Sequence, residues 1–188
     1  MLNQLNNFIL VLDGVFTPQL CDAILEEYAS CDDWVDTVIG GGADVDKTIR
    51  NCSAIGMSYS SIIGKNQNTR TALDKYMHAS VSEIIAKYTK NFPNCVIQQD
   101  SGYELLKYTE GQFYIQHTDS FKERQRAVSC SISLNDDYEG GEFAFFDREL
   151  KYKLSKGSAI LFPSNFMYPH EIMPVTKGTR YSVITWFV

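Results

Sequence analysis

The feature that most limits how this chain can fold is a change of hydrophobic period near Ser101. Beyond it, runs at 104–109, 112–119, 127–134, 142–146, 158–162 and 180–188 alternate or concentrate apolar residues at strand length, separated by glycine, proline and acidic turns. Before it, the spacing is helical. Thr17-Pro18 supplies an N-cap and a proline for the first helical position, and Leu20, Cys21, Ile24, Leu25 and Tyr28 then recur at three- and four-residue steps. Leu73, Met77, Val81, Ile84, Ile85 and Tyr88 repeat the pattern and predict a second, longer helix over about 71–89. The apolar run 8–15 predicts a first strand. Two helices followed by six closely spaced strands predict an α+β, mainly β fold, a double-stranded β-helix (jelly roll, cupin-like) with N-terminal helices buttressing one face. With 188 residues, 44% of them hydrophobic, one domain over 1–188 is expected, helical support at about 1–95 and jelly-roll core at about 96–188.

Residues 36–68 carry the triple glycine Gly40-Gly41-Gly42 and few aliphatic clusters, predicting a long mobile connection with one or two short strands. A flap over a site and a plain surface insertion both fit that composition. A net charge of −6 gives no general reason to bind phosphate backbones, so nucleic acid is a disfavoured partner. The apolar stretch 8–12 is too short for a bilayer span and lacks a secretory signal's flanks, so a cytoplasmic protein with no membrane partner is expected. Five scattered cysteines with no CxxC pair suggest inert thiols.

The chemistry lies in His117 and Asp119 of the run YIQHTD and in His170 of YPHEIMPVTKGTR. On a strand, positions 117 and 119 share one face. Two imidazoles and a carboxylate are the facial triad of non-haem Fe(II) sites, which leaves coordination positions open. His78, the remaining histidine, falls in the second helix among Lys75, Tyr76 and Met77 and is read as a surface or boundary residue. Arg180, ten residues after His170, opens the last strand and shares a face with Ser182, Ile184 and Trp186. If that face is the barrel interior, a buried guanidinium requires an anion, and its fork of donors suits a dicarboxylate. Lys122, Arg124 and Arg126 are read as a solvated face rather than a substrate groove, and Glu139-Gly140-Gly141-Glu142 as a turn using positive φ.

With these motifs the chain resembles the 2-oxoglutarate and Fe(II)-dependent dioxygenases of the prolyl 4-hydroxylase type, in the bacterial and phage-like subgroup. Tyr108, Gly111, Tyr114, His117 and Asp119 match the family's Tyr-x-x-Gly-x-x-Tyr-x-x-His-x-Asp spacing residue by residue. VLDGVFTPQLCDAILEEY is similar to the family's first strand and helix, and SISLNDDYEGGEFAFF to its middle strands. The resemblance implies iron held by His117, Asp119 and His170, with Tyr108 and Arg180 on the distal carboxylate of 2-oxoglutarate. It also implies roles near the cosubstrate for Tyr114, Trp186 and, more loosely, Ser129. Core aromatics with a hydrogen-bonded polar tip are the alternative at Tyr114 and Trp186 and, less so, at Tyr108. Catalytic residues are thus expected at His117, Asp119, His170 and Arg180, with Fe(II), 2-oxoglutarate and O2 as cofactors and ascorbate as a family expectation.

The reaction implied is hydroxylation of an unactivated C–H bond with release of succinate and CO2. The resemblance favours C4 of prolyl residues in a peptide or protein, with the segment around 40–50 closing over an extended chain. A free amino acid or small metabolite as substrate stays open, as does a jelly-roll module that binds metal or dicarboxylate without turnover. Demethylation of nucleic-acid bases is disfavoured by the acidic charge and by the lack of a second arginine soon after Arg180.

Overall fold

The computed structural model describes residues 2–40, 44–58 and 66–188. The chain begins with α1 (Leu2–Leu5), a 3-10 turn (Asn6–Phe8), β1 (Leu10–Leu12) and α2 (Pro18–Tyr28). Then come β2 (Val35–Asp36), β3 (Arg50–Asn51), β4 (Ser53–Gly56) and α3 (Gln67–Asn91). Beyond α3 lie β5 (Glu104–Tyr108), β6 (Phe113–His117), β7 (Val128–Ser133), β8 (Glu139–Gly140), β9 (Phe143–Phe145), β10 (Leu150–Tyr152), β11 (Ala159–Pro163), β12 (His170–Ile172), β13 (Val175–Lys177) and β14 (Arg180–Phe187). The major sheet has the order β1-β11-β7-β14-β5-β4-β2 and the minor one β10-β9-β12-β6-β3, with β13 and β8 forming a separate pair. Every neighbouring pair is antiparallel. Two facing antiparallel sheets with helices packed on one of them are the expected jelly roll.

Alternation along the central strands separates two cores. On β7, Val128, Cys130 and Ile132 face α2 and α3 and join Ile24, Met77, Val81, Leu161 and Val183 in a helix-side core. Ser129, Ser131 and Ser133 take the opposite face, toward the minor sheet. Between the sheets, Leu106, Phe143, Phe145, Ile160, Phe162 and Ile184 form the inner core.

α2 begins as the local sequence dictates. Thr17 Oγ1 accepts from the Leu20 amide at 3.2 Å, and Pro18 occupies the first turn. α3 starts four residues before its predicted span and ends two beyond it, and its added first turn carries the helix pair's main polar contact. Arg70 donates at 2.7 Å to both Glu27 and Asp33 and lies over the Tyr28 ring, tying α3 to α2.

The division into helical support and strand core differs from expectation, because the N-terminal half contributes four strands. β1 pairs with β11 and β4 with β5, so both flanks of the major sheet come from residues before 57. Cys52 and Ala54 enter the inner core while Ile55 and Met57 enter the helix-side core, so the alternation that seats β4 spans only residues 52–57. The predicted first strand shortens to Leu10–Leu12 because Phe8 closes a 3-10 turn. Of the 36–68 connection, residues 41–43, with Gly41 and Gly42, and residues 59–65 lie outside the described residues. All five cysteines are free. Among the described residues no helix is long and apolar enough to cross a membrane.

Ile132 is fully buried against the helices. Its truncation in Ile132→Ala should lower unfolding stability by about 2–5 kcal/mol with the denaturant slope unchanged. A loss under about 1 kcal/mol in a urea titration would mean that the helices do not close this core.

Candidate metal centre and anion pocket

β6 ends at His117, Asp119 follows two residues later, and His170 opens β12. The β6–β12 ladder sets His170 directly opposite His117. The two rings lie 4.3 Å apart between centroids, tilted by 54°. His117 Nε2 is 3.5 Å from Asp119 Oδ1, and His170 Nε2 is 3.6 Å from Asp119 Oδ2. One potential ligand atom from each of the three falls within 4.8 Å of the others.

Both imidazoles are set by backbone carbonyls. His117 Nδ1 lies 2.8 Å from Ile115 O, and His170 Nδ1 lies 3.1 Å from Tyr168 O. A carbonyl only accepts, so each Nδ1 carries the proton and each Nε2 presents a lone pair toward Asp119. Hydrogen bonds of this kind orient metal-ligating histidines. Burial, followed by the charge of His117, pushes the His170 pKa down to about 4, keeping that ring neutral at ordinary pH. Burial works to raise the Asp119 pKa, but His170, His117 and the Ser129 hydroxyl outweigh it and hold the carboxyl well below the usual range. Two imidazoles and one carboxylate fit a divalent cation with mixed nitrogen and oxygen preference such as Fe(II).

Asp119 is held from behind. Ser129 Oγ donates to its Oδ2 at 2.6 Å and is itself 2.8 Å from Ser164 Oγ. Ser129 therefore sits on the metal side of the site, against a ligand. Arg126 Nη1 donates to the Asp119 carbonyl at 3.0 Å, and its guanidinium lies 3.5 Å over the Trp186 ring. The reading of Arg126 as solvated surface is thus corrected: the stretch after Asp119 folds back along β7, and the indole face holds the cation inside.

Arg180 is only 2% exposed. Its Nη1 donates to Ser182 Oγ at 2.9 Å, while its Nε has no partner. No carboxylate among the described residues lies within ion-pair distance of it. The guanidinium rests 5.3 Å from the Tyr108 ring centroid and 5.4 Å from that of Phe143. Tyr108 is its partner across the β5–β14 ladder, and burial holds the phenol far above its ordinary pKa, as a neutral donor. The Gly140-Gly141 turn also serves this spot. Both glycines have positive φ, and a Cβ on Gly141 would stand 3.0 Å from Arg180 Cδ. An orphaned buried cation beside a neutral phenol suits an anionic ligand.

A cavity of about 670 Å³ joins these groups, lined by the triad and by Tyr108, Tyr114 and Trp186, among others. Tyr114 stacks on His117 with centroids 3.5 Å apart, and Arg50 covers Tyr114 at 5.0 Å. Arg50 had no sequence signal, since it lies in the long connection. It reaches the site because β3 pairs with β6, setting it opposite Tyr114. Val38 and Ile39 from the same connection, with Val35 just before it, line the cavity as well. His78 stands apart on α3, 3.3 Å from Asp100.

Known proteins resemble this arrangement. Residues 103–188 match the family model of the 2OG-Fe(II) oxygenase superfamily. A PKHD-type hydroxylase of Picosynechococcus sp. is 40% identical over 142 residues, 68% of this chain and 61% of the relative. One from Alteromonas mediterranea is 36% identical over 146 residues, 65% of this chain and 60% of the relative. The chain thus spans about three-fifths of the length of these curated relatives. A Trichoplax adhaerens prolyl hydroxylase, solved with a hypoxia inducible factor peptide fragment, superposes with a TM-score of 0.77 at 21% identity, covering 98% of this chain and 86% of that one. A Pseudomonas putida prolyl-4-hydroxylase gives 0.73 at 20% identity, covering 100% and 98%. At that identity the structures show a shared fold, and the sequence matches carry the kinship: this chain belongs to the 2OG-Fe(II) oxygenase superfamily and is similar to its PKHD-type hydroxylases.

Proposed function

We propose that the protein is an Fe(II)- and 2-oxoglutarate-dependent dioxygenase that hydroxylates C4 of prolyl residues in a peptide or protein. The observation that carries this reading is the pairing of a carbonyl-oriented His-Asp-His triad with a buried, anion-free Arg180 along one cavity. Iron and 2-oxoglutarate, when bound, supply oxidative decarboxylation to succinate and CO2 together with oxygen insertion into an unactivated C–H bond. His117, Asp119 and His170 hold the metal, with Ser129 and Arg126 fixing Asp119. Arg180 and Tyr108 take the far carboxylate of the cosubstrate, the first by charge and the second through its phenolic O–H. The apolar inner core around Phe143, Phe162 and Ile172 keeps water from the reacting region.

The peptide substrate draws support from the relatives' names and from the mouth of the cavity. Val35, Val38 and Ile115 line it and are exposed, offering apolar contact to an extended chain. Trp186 and Tyr114 line the same space.

His117→Ala or Asp119→Ala should reduce Fe(II) binding at least tenfold and bring succinate formation to background. Wild-type turnover in either variant would defeat the metal assignment. Arg180→Met should leave metal affinity within about twofold yet weaken 2-oxoglutarate binding by two orders of magnitude or more, in line with the cost of removing one partner of a buried charge pair. Calorimetry checks both quantities, and an unchanged cosubstrate affinity would mean that Arg180 serves another group. Mass spectrometry of proline-containing peptides should show gain of one oxygen on proline. Oxidation confined to free amino acids would replace the peptide reading.

A further inference from the structure

On the inward face of β7, Ser131 is 3% exposed and lines the cavity, yet its Oγ has no hydrogen-bond partner. Its two row-mates are satisfied. Ser129 binds Asp119 and Ser164, and Ser133 donates to Asn135 O at 2.8 Å. The ladder neighbours of Ser131 are Ile160 on β11 and Ile184 on β14, so a lone hydroxyl stands in an otherwise apolar stretch of wall. A buried hydroxyl left unpaired there is unfavourable, and the native answer to such a group is a partner.

The row also has direction. Ser129 touches the metal ligand Asp119, while Ser133 sits opposite Ser182, the hydroxyl that receives Arg180. Two-residue steps on a strand are about 6.7 Å, so Ser131 stands one step from the metal end and one step from the arginine end. Those are the two ends that, on the proposed function, a five-carbon dicarboxylate must bridge.

We infer that Ser131 is a further cosubstrate-binding residue, whose hydroxyl donates to an oxygen of bound 2-oxoglutarate between the iron and Arg180. The inference rests on the dioxygenase reading. Ser131 touches none of the three metal ligands within hydrogen-bond distance, so its effect falls on the cosubstrate and leaves the metal alone.

Anaerobic calorimetry separates these roles, with Fe(II) titrated first and 2-oxoglutarate second into wild type, Ser131→Ala and Ser131→Thr. Ser131→Ala should bind Fe(II) within twofold of wild type and unfold at the same temperature. It should bind 2-oxoglutarate about tenfold more weakly, a change of about 1.4 kcal/mol. Ser131→Thr, which restores the hydroxyl, should recover most of that loss. Unchanged or tighter 2-oxoglutarate binding in Ser131→Ala would overturn the inference while leaving the dioxygenase reading intact. An equal loss of Fe(II) affinity or of thermal stability would also overturn it, by showing that the residue acts through the fold. Wild-type protein that binds Fe(II) but not 2-oxoglutarate would overturn both.

Discussion

A guanidinium sealed among rings, with no carboxylate among the described residues in reach, is the constraint around which the rest of this structure is arranged. Burying an unpaired cation costs on the order of several kcal/mol, and no carboxylate among the described residues lies within ion-pair distance of Arg180. The surroundings keep the charge in place. Ser182 takes one nitrogen, Tyr108 and Phe143 cover the faces, and Gly141 leaves room for the aliphatic stem. A fold that maintains such a group suits a ligand that brings a negative charge.

The opposite end of the cavity has the complementary character. Two imidazoles are locked with their Nε2 lone pairs facing one carboxylate, and that carboxylate is fixed by Ser129 and by the backbone contact from Arg126. Cation-seeking and anion-seeking ends are joined by the inward row of β7, whose serines run from one to the other. Both ends lie on rigid ladder positions: His170 opposite His117, and Arg180 opposite Tyr108. Precision comes from strand register, with loops left to shape the mouth.

How much of this was legible in the sequence depended on whether the local signal matched the final environment. His117 and Asp119 could be placed on one face by alternation alone, and the six main strands carried enough apolar period to be seen. The strand at His170–Ile172 could not, because it is three residues long and lies between Pro169 and Pro174. Its ladder is imposed by β6 and β9 on either side. The same holds for β4, which alternates over too short a stretch to outweigh the polar, glycine-rich segment around it. Arg50 and Arg126 were hidden for a related reason: a cation's burial depends on which aromatic ring the fold brings beneath it, and Tyr114 and Trp186 are distant in sequence. Ser129 shows the limit of a motif. The match placed it near the cosubstrate; it lines the cavity there, and its hydroxyl also binds the carboxylate of Asp119, a contact the motif does not encode.

The most direct test of the central claim is an anaerobic crystal structure of the protein with Fe(II) and 2-oxoglutarate, with anomalous data at the iron edge. One iron peak bounded by His117 Nε2, Asp119 and His170 Nε2, with the dicarboxylate's outer end on Arg180, is the predicted result. Iron bound elsewhere, or an Arg180 that meets a protein carboxylate and leaves the dicarboxylate free, would contradict the account.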